Sequence, residues 1–443
     1  MVLHGKPVTT SSNPNSSAAT GMRGDGKKVL IVVENLPVPF DRRVWMEATT
    51  LRDAGYAVSV ICITGKGYTA EYEELEGIHI YRHGLPPERN NAAGFLLEYV
   101  AALYHETRLA WKIWRKHGFD IIHACNPPDL IFFVAAPFKA LFGTKFLFDQ
   151  HDVNPELYET KFGRRDFVYK GLKFVEWLTF KLADVVISTN ESYKRIALER
   201  GGKRDDQVFV VRSAPKLDKF NPRPGGERHK AGFKYMVGYL GVMGPQEGID
   251  HLLRAVKQIV DSGRTDIKFM LVGGGSSLED LRAYSKELNL EKFVEFSGRI
   301  PDEDLLERLT ACDICVNPDP MNPLNNISTM NKIMEYMALE KPVVQYDLIE
   351  GRFSAGEASV YAKPNDERDL ASKILELLGD PERRALMGKI GLERMKTALS
   401  WEHSVPRLLE AYNKAFVGTE QQTEQQTKQQ TKQQTEQQTK QQA

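Results

Sequence analysis

The sequence of 443 residues has only four cysteines and no excess of charge of either sign. Lys+Arg and Asp+Glu number 59 each, so net charge gives no indication of a nucleic-acid partner. Four cysteines are too few for a disulfide-stabilised fold, and a reducing compartment is expected. No run of about eighteen apolar residues occurs, and the N-terminus lacks a charged-then-apolar signal pattern. We therefore expect a cytoplasmic protein, with a peripheral position at the inner face of the plasma membrane left open.

Apolar residues are scarce at both ends of the chain, although 42% of all residues are hydrophobic. Residues 1–25 are rich in Ser, Thr, Asn and Gly, and residues 418–443 repeat a polar Thr/Gln pattern. Such segments cannot bury enough apolar surface to offset the entropy of ordering them. We therefore predict disordered N- and C-terminal tails.

Between the tails, short apolar runs alternate with helical patterns, which predicts an α/β fold with doubly wound sheets. The pattern stops in the Pro/Gly/Lys-rich stretch 213–232 and then restarts. The sequence therefore predicts a Rossmann-like domain over 26–212, a linker over 213–232 and a second Rossmann-like domain over 233–400. We expect the two domains to face a central cleft, with ligands at the carboxyl ends of the strands.

Two glycine-bearing loops follow predicted strands of the second block. LVGGGSSLEDL contains Gly273, Gly274 and Gly275, and YLGVMGPQEGIDHLL contains Gly241 and Gly244. Glycine lets the backbone approach a ligand, and free amides at a helix N-terminus suit a phosphate. The alternative is two ordinary βα turns, because neither loop has the G-x-G-x-x-G spacing.

A third motif, NKIMEYMA at 331–338, carries a cation and an anion on one face of a short helix. Lys332 and Glu335 are three residues apart, and Ser328 is a candidate N-cap. Because the helix is otherwise apolar, we predict a partly buried pair rather than a surface ion pair. A lysine near phosphates and a carboxylate accepting two ribose hydroxyls would explain both charges, with Asn331 as a further donor-binding residue.

Charged and polar residues also follow strands of the first block. FDQHDVNPELY places His151 and Asp152 just past a strand end, where a histidine could donate to a sugar hydroxyl or a developing charge. Arg42 and Arg43 fall where the first helix begins. We assign Arg42, Arg43 and Asp152 to acceptor binding. The alternatives are that His151 is a capping or core residue and that the two arginines simply pair with Glu47.

The segment 159–184 mixes basic and aromatic residues and has two interpretations. Such a helix could lie on an anionic membrane, or it could pack its aromatic face on its own sheet with solvated lysines opposite. Its basic and aromatic residues are Lys161, Arg164, Arg165, Lys170, Lys173 and Lys181, with Phe162, Phe167, Tyr169, Phe174, Trp177 and Phe180.

Two further patterns are weak as metal sites. Cys312 and Cys315 form a C-x-x-C, but residues three apart in a strand point to opposite faces, so redox or metal use is not expected. The acidic stretch 301–304 is expected to start a helix, where acids suit the macrodipole. We predict no metal site.

Taken together, these stretches resemble retaining GT-B glycosyltransferases, specifically the large bacterial GT4-like group 1 family, over residues 28–416. The first βαβ unit, the histidine loop, the 273–275 loop and NKIMEYMALEKPVV carry the resemblance. SWEHSVPRLLEAYNKAF resembles the family's closing helix, expected over 401–416 to cross back to the first domain. Each motif alone is unspecific, and the combination indicates the family.

The resemblance implies a role for each candidate residue. Glu335 would grip the donor ribose, and His151 would touch the transferred sugar near the reacting carbon. The 273–275 glycines would face the donor. Positive side chains and helix N-termini would neutralise the leaving diphosphate, so such an enzyme needs no metal and no other cofactor.

The sequence departs from the family pattern at three positions. The family usually has an arginine and a lysine in the loop after the first strand of the second domain, where this sequence has Val242 and Glu247. The first glutamate of the E-x7-E motif falls at Ile327. Lys332 and Arg299 are the candidates to supply the missing charge.

The leading hypothesis is a retaining glycosyltransferase that moves a sugar from a nucleotide diphosphate sugar to a glycan or polyprenyl-linked acceptor in surface polysaccharide biosynthesis. One alternative is a nucleotide-sugar 2-epimerase, which would need several cleft acids and bases that the sequence does not reveal. Another is a catalytically degenerate relative that binds a glycan or a partner protein, which the three departures favour.

Overall fold

The computed structural model describes residues 24–85 and 92–417. The predicted tail 418–443, and all of the predicted N-terminal tail except Gly24 and Asp25, lie outside the described residues. Within the described ranges, no helix combines the length and the apolar character that crossing a bilayer requires.

The first sheet has eight strands in the order β3-β4-β2-β1-β5-β6-β7-β8. Strand β3 runs antiparallel to β4, whereas β1, β2 and β4 are mutually parallel, as are β6, β7 and β8. The strands are β1 Lys28–Val32, β2 Ala57–Ile63, β3 Tyr72–Leu75, β4 Ile78–His83, β5 Ile121–Cys125, β6 Lys145–Gln150, β7 Val185–Ser188 and β8 Val208–Val210. The nearly continuous apolar runs of β1, β2, β5 and β7 fit strands that are covered on both faces.

The second sheet has six parallel strands in the order β11-β10-β9-β12-β13-β14. They are β9 Tyr235–Leu240, β10 Ile267–Val272, β11 Val294–Gly298, β12 Ile314–Asn317, β13 Val343–Tyr346 and β14 Ser359–Ala362. The chain reverses its order of addition between β9 and β12, and ligands in open α/β sheets bind beside such a switch point. The predicted α/β class is confirmed, with a parallel second sheet and a first sheet in which β3 is antiparallel.

Helices connect most of the strands. They are α1 Arg42–Asp53, α2 Ala92–Lys116, α3 Phe132–Phe142, α4 Asn154–Phe162, α5 Phe167–Leu182, α6 Glu191–Glu199, α7 Ile249–Asp261, α8 Leu278–Glu287, α9 Asp302–Ala311, α10 Asn331–Ala338, α11 Ile349–Ala355, α12 Glu367–Leu378 and α13 Pro381–Arg394. A last helix spans 401–417. Acids fill the first turn of α9 as predicted.

The core of the second sheet follows from helical periodicity. Ile249, Leu252, Val256 and Ile259 recur on one face of α7 and are buried in the same cluster as the apolar residues of β9 and β10. Burying each such side chain contributes on the order of 1.5–3 kcal/mol before the entropy cost of ordering it. This burial fixes β9 and β10, and hence the loops that follow them.

Contacts divide the chain into two compact units. Of the described residues, one unit contains 24–85, 92–123, 138–145 and 412–417, and the other contains 124–137 and 146–411. The second unit holds the whole six-stranded sheet together with β6, α4, α5 and α6. The boundaries expected at 212 and 233 stay a prediction.

Candidate functional site

The two glycine loops pack against each other, backbone to backbone. A Cβ on Gly273 would overlap the carbonyl oxygen of Gly241, and one on Gly275 would lie 2.5 Å from the carbonyl oxygen of Met243. Gly273 also has φ +140°, a conformation that side chains disfavour. The Met243 amide donates to the Gly274 carbonyl over 3.0 Å. Glycine is therefore required at 273 and 275 for this packing, independently of any ligand.

Gly274 differs from its neighbours, because a Cβ there would meet no atom within 4 Å. The loop carries it past the end of β10 towards α8, whose N-cap Ser277 makes no side-chain capping bond. Gly244 begins a short 3-10 turn over Pro245–Glu247, with the Gln246 side chain against it. Gly274 is thus the glycine whose side-chain position is open to a ligand.

Lys332 lies at the centre of an ion cluster in the same unit. Its Nζ is 2.8 Å from Glu247 Oε2 and 3.1 Å from Asp319 Oδ1, and it lies 4.9 Å from the centre of the Tyr239 ring. The acids in contact with Lys332 therefore come from the loops after β9 and β12. The sequence had instead paired Lys332 with Glu335.

The charges in this cluster are set by burial and by each other. Burial raises the pKa of Asp319 to about 7, although Lys332 pulls it down. Burial also opposes the charge on Lys332, but Asp319, Tyr239 and Glu247 outweigh it and hold the pKa of the ammonium well above its usual value. Lys332 is thus protonated at neutral pH. It is the one positive charge among the four groups of this cluster, which are Lys332, Glu247, Asp319 and Tyr239.

The cation and the glycine loops meet at one point. Lys332 Cε lies 3.4 Å from where a Cβ on Gly241 would be, and Gly241 is the residue against which Gly273 packs. The Gly273 amide donates to the Gly298 carbonyl over 3.0 Å. Arg299, which is exposed, is the next residue after Gly298 and therefore lies near the 273–275 loop. The structure therefore brings Lys332, the two glycine loops and Arg299 to one edge of the second sheet.

Helix α10 begins later than the sequence suggested. Its N-cap is Met330, and no side chain caps it. Ser328, the predicted cap, instead donates to the Leu324 carbonyl over 2.8 Å and contacts the Tyr193 hydroxyl at 2.9 Å. The prediction for Ser328 is wrong because a 3-10 turn over Asn325–Ile327 precedes the helix and uses its hydroxyl.

The other residues of α10 that are predicted to bind the sugar donor lie at its start and on its second turn. Asn331 is exposed at the first position of the helix, and Glu335 is half-buried one turn after Lys332. The shared face expected for Lys332 and Glu335 follows from their spacing in the observed helix.

His151 lies at the end of β6 against a buried carboxylate. Its Nε2 contacts Asp149 Oδ2, and the Asp149 side chain is fully buried. Asn126 Oδ1 accepts from the backbone amides of His151, over 2.7 Å, and of Asp152, over 3.1 Å. Asp149 was missed, although its place two residues before His151 in an alternating strand put both on one face.

Asp152 is linked to the segment that precedes α10. Burial raises the pKa of Asp152, and its charge in turn acts on the buried phenol of Tyr193. The Tyr193 hydroxyl contacts Ser328, and Asn190 Nδ2 donates to the Ile327 carbonyl over 2.9 Å. Tyr193 therefore links the two segments, through the charge of Asp152 on one side and a contact with Ser328 on the other, which sequence reasoning did not anticipate.

In the other compact unit, the two predicted arginines differ. Arg42 is exposed as the first residue of α1, which Asp41 caps. Arg43 is buried and pairs with Glu47 over 3.1 Å. The alternative of a pair with Glu47 thus holds for Arg43, and Arg42 is the more accessible of the two.

The C-x-x-C pair does not lie within one strand as expected. Cys312 ends α9 and Cys315 lies in β12, because the chain enters the strand only at Ile314. Both thiols approach the Cβ position of Gly238. Burial raises the pKa of Cys315 well above its usual value, so this thiol is a buried core group.

Comparisons with known proteins identify the family of this chain. Residues 234–380 match the family described as Glycosyl transferases group 1, and residues 41–212 match the Glycosyl transferase 4-like domain. A 2-deoxystreptamine glucosyltransferase of Streptomyces kanamyceticus is 24% identical over 348 residues, which cover 76% of this chain and 88% of that protein. A D-inositol 3-phosphate glycosyltransferase of Thermomonospora curvata is 27% identical over 53% of this chain and 57% of its own length.

Solved structures share the fold. Sucrose-phosphate synthase of Thermosynechococcus elongatus superposes with a TM-score of 0.74 at 21% identity, over 88% of this chain and all of that one. The Anabaena protein HepE, solved in complex with UDP-glucose, superposes with a TM-score of 0.67 at 17% identity, over 87% of this chain and 99% of its own. The chain therefore belongs to the group 1 glycosyltransferases and is a GT4-like glycosyltransferase with the GT-B fold.

Proposed function

We propose that this enzyme transfers a sugar, with retention of the anomeric configuration and without a metal, from a nucleotide diphosphate sugar to a glycan or lipid-linked acceptor. One observation carries the proposal: the buried ammonium of Lys332 lies beside two glycine loops that end parallel strands. A relative of the same fold, HepE, was solved with UDP-glucose, which supports a nucleotide sugar as donor.

The chemistry needs stabilisation of the departing diphosphate. Backbone amides of the Gly274 loop and the Lys332 ammonium supply fixed positive ends that cost no reorganisation during the reaction. Glu335, one turn along α10, would accept two hydroxyls of the donor ribose. Retention would follow if the donor phosphate deprotonates the acceptor on the face from which the diphosphate leaves.

The two carboxylates around Lys332 do not exclude this role. An ammonium has three protons to donate. Glu247 accepts one over 2.8 Å and Asp319 accepts another over 3.1 Å. The third faces the Tyr239 hydroxyl over 3.5 Å, the longest of these contacts, and would turn to a phosphate oxygen when the donor binds. Because burial raises the pKa of Asp319 to about 7, that group would be partly protonated at neutral pH, which reduces its repulsion of the phosphate.

His151 is proposed to face the transferred sugar. Its Nε2 contact with buried Asp149 would orient the ring towards a hydroxyl of that sugar.

The acceptor is proposed as a glycan or a polyprenyl-linked glycan of surface polysaccharide biosynthesis. An O-antigen chain mannosyltransferase of Escherichia coli is 27% identical over 175 residues, covering 39% of this chain and 44% of that protein. Two observations support this acceptor: the likeness to that mannosyltransferase and the exposed basic and aromatic surface of α5 that is described below.

A degenerate, non-catalytic relative is the second candidate. The observation that favours it is Glu247, an acid where the family usually has a lysine. Calorimetry with UDP- and GDP-sugars in the presence of EDTA, followed by turnover with a polyprenyl-linked acceptor and NMR of the product anomer, separates the candidates. Binding without turnover on any acceptor would favour the degenerate relative. Epimerised free donor would indicate the 2-epimerase, and an inverted product or a requirement for metal would contradict the proposed mechanism.

A further inference from the structure

Helix α5 exposes a stripe of alternating aromatic and basic side chains. The stripe consists of Phe167, Lys170, Phe174, Trp177 and Lys181, at spacings of three and four residues. Phe167 is 86% exposed, Phe174 60% and Trp177 40%. Spacings of this kind place all five side chains on one face of the helix.

The opposite face of α5 is fixed to the protein. Tyr169, Thr179 and Phe180 are buried, and the Thr179 hydroxyl donates to the Asp129 carbonyl over 2.7 Å. Glu176 is buried against Arg200. Tyr169 and Phe180 thus pack on the protein, as one interpretation of the sequence expects, whereas the aromatic residues of the stripe are left outside.

We propose that this stripe docks on an anionic membrane surface. Solvent-exposed aromatic rings are costly in water and suit the interface between headgroups and acyl chains. The lysines between them can extend to lipid phosphates while their stems stay apolar.

The charge around the stripe is complementary to such a surface. Residues 161–182 contain six basic side chains and two carboxylates, Asp166 and Glu176. Glu176 is buried, and Asp166 accepts from the Val168 amide and pairs with Arg164 over 2.9 Å. The inference goes beyond the proposed function and does not depend on the donor site.

The test is co-sedimentation of the full chain with phosphatidylcholine vesicles, with and without phosphatidylglycerol. We expect binding only to the anionic vesicles and a blue shift of Trp177 fluorescence, identified by its absence in Trp177→Phe. Lys170→Gln with Lys181→Gln should lower the affinity about 25-fold, since each basic residue near such a surface contributes about fivefold. Phe167→Ser with Phe174→Ser and Trp177→Ser should abolish binding.

Helix α13 provides a matched control. Leu386 is 59% exposed, and Lys389 is exposed on the same helix. Leu386→Ser with Lys389→Gln should leave vesicle binding unchanged. Because all substituted side chains are exposed, melting temperatures should stay at the wild-type value, so loss of binding would not reflect unfolding.

Three results would overturn the inference: no binding to anionic vesicles, equal binding by the triple serine variant, or a dimer in sedimentation velocity that the triple variant dissociates. Donor calorimetry on the same variants separates this test from the proposed function. If the protein binds vesicles but no sugar nucleotide, the proposed donor site is contradicted and the inference that α5 docks on a membrane is still supported.

Discussion

Lys332 Nζ lies 2.8 Å from Glu247 Oε2, and Glu247 stands where the family usually has a lysine. We propose that Lys332 supplies, from α10, the positive charge that the loop after β9 lacks. An amine reaching this point from either side would give a bound diphosphate a similar field, because the interaction depends on distance and burial and not on the element of origin.

This relationship predicts that the ammonium group can be moved from position 332 to position 247. Lys332→Met should lower the free energy of unfolding by about 3–5 kcal/mol, because it leaves Asp319 buried, and Glu247 partly buried, without their partner. It should also abolish measurable donor binding. Adding Glu247→Lys should restore stability and donor binding in part, since the new ammonium can reach Asp319. Urea unfolding and donor calorimetry on both variants measure this.

The comparison has a control and a clear failure. Glu247→Met alone should retain donor binding, because Lys332 keeps Asp319 as a partner. If Lys332→Met loses stability while its turnover per folded molecule stays normal, Lys332 is structural only and does not meet the donor.

The glycine loop allows packing to be separated from ligand binding. Gly274→Ala should change stability by less than about 1 kcal/mol, because its Cβ would enter open space. We expect it to weaken donor binding tenfold or more, at about 1.4 kcal/mol for each factor of ten, because the methyl group would occupy the approach of the diphosphate. Gly273→Ala should instead destabilise the fold, since its Cβ would overlap the Gly241 carbonyl. Unchanged donor affinity in Gly274→Ala would remove this loop from the site.

The strands could be predicted from the sequence, whereas the partners of the charged residues could not. Apolar runs such as that of β10 identify a buried parallel strand, and a glycine after it identifies its end. Glu247 and Asp319 are 85 and 13 residues from Lys332 in sequence. Periodicity within α10 gives the face on which Lys332 lies but carries no information on what that face meets.

Helix α5 illustrates the same limit. Its sequence contains two aromatic stripes, one with Tyr169 and Phe180 and the other with Phe174 and Trp177. Either stripe satisfies the pattern of an amphipathic helix. The choice depends on tertiary contacts such as the bond from Thr179 to the Asp129 carbonyl, so only the structure could assign the exposed face.

Glu335 is expected to act through the donor ribose. Glu335→Ala should raise the donor KM about 10- to 100-fold, the range for losing hydrogen bonds to a charged group. Stability should change little because the side chain is only half-buried. Steady-state kinetics with the donor varied measure the effect, and the exposed Glu393→Gln on α13 is the matched control. Wild-type kinetics in Glu335→Ala would exclude this residue from the donor site.

His151 and Asp149 should act together. Asp149→Asn keeps the shape of the side chain but removes the charge that faces His151 Nε2. We expect kcat to fall about 10- to 100-fold, with little change in donor KM, because the carboxylate supports the imidazole. His151→Ala should cause a similar loss, and the double variant should lose no more than the worse single variant. Additive losses would indicate that the two residues act independently.

His83 predicts how the other compact unit responds to acid. Burial lowers the pKa of this imidazole to about 4, and its Nδ1 lies 3.3 Å from the Gly84 carbonyl. The unfolded chain binds a proton near pH 6.5, whereas the folded chain does so only near pH 4. Stability is therefore intact above pH 6.5 and falls as the pH drops from about 6.5 to about 4, with a loss of about 2 kcal/mol by about pH 5.

His83→Phe should remove this part of the acid sensitivity, because the ring is kept and the titrating nitrogens are not. Urea unfolding at about pH 7.5 and about pH 5 should give a difference about 2 kcal/mol smaller in the variant than in the wild type. His403→Phe, at an exposed position of the last helix, should retain the wild-type difference. An equal loss of unfolding free energy in His83→Phe and in the wild type would mean that His83 takes up its proton as readily in the folded protein as in the unfolded chain. The buried ring would then not limit acid stability.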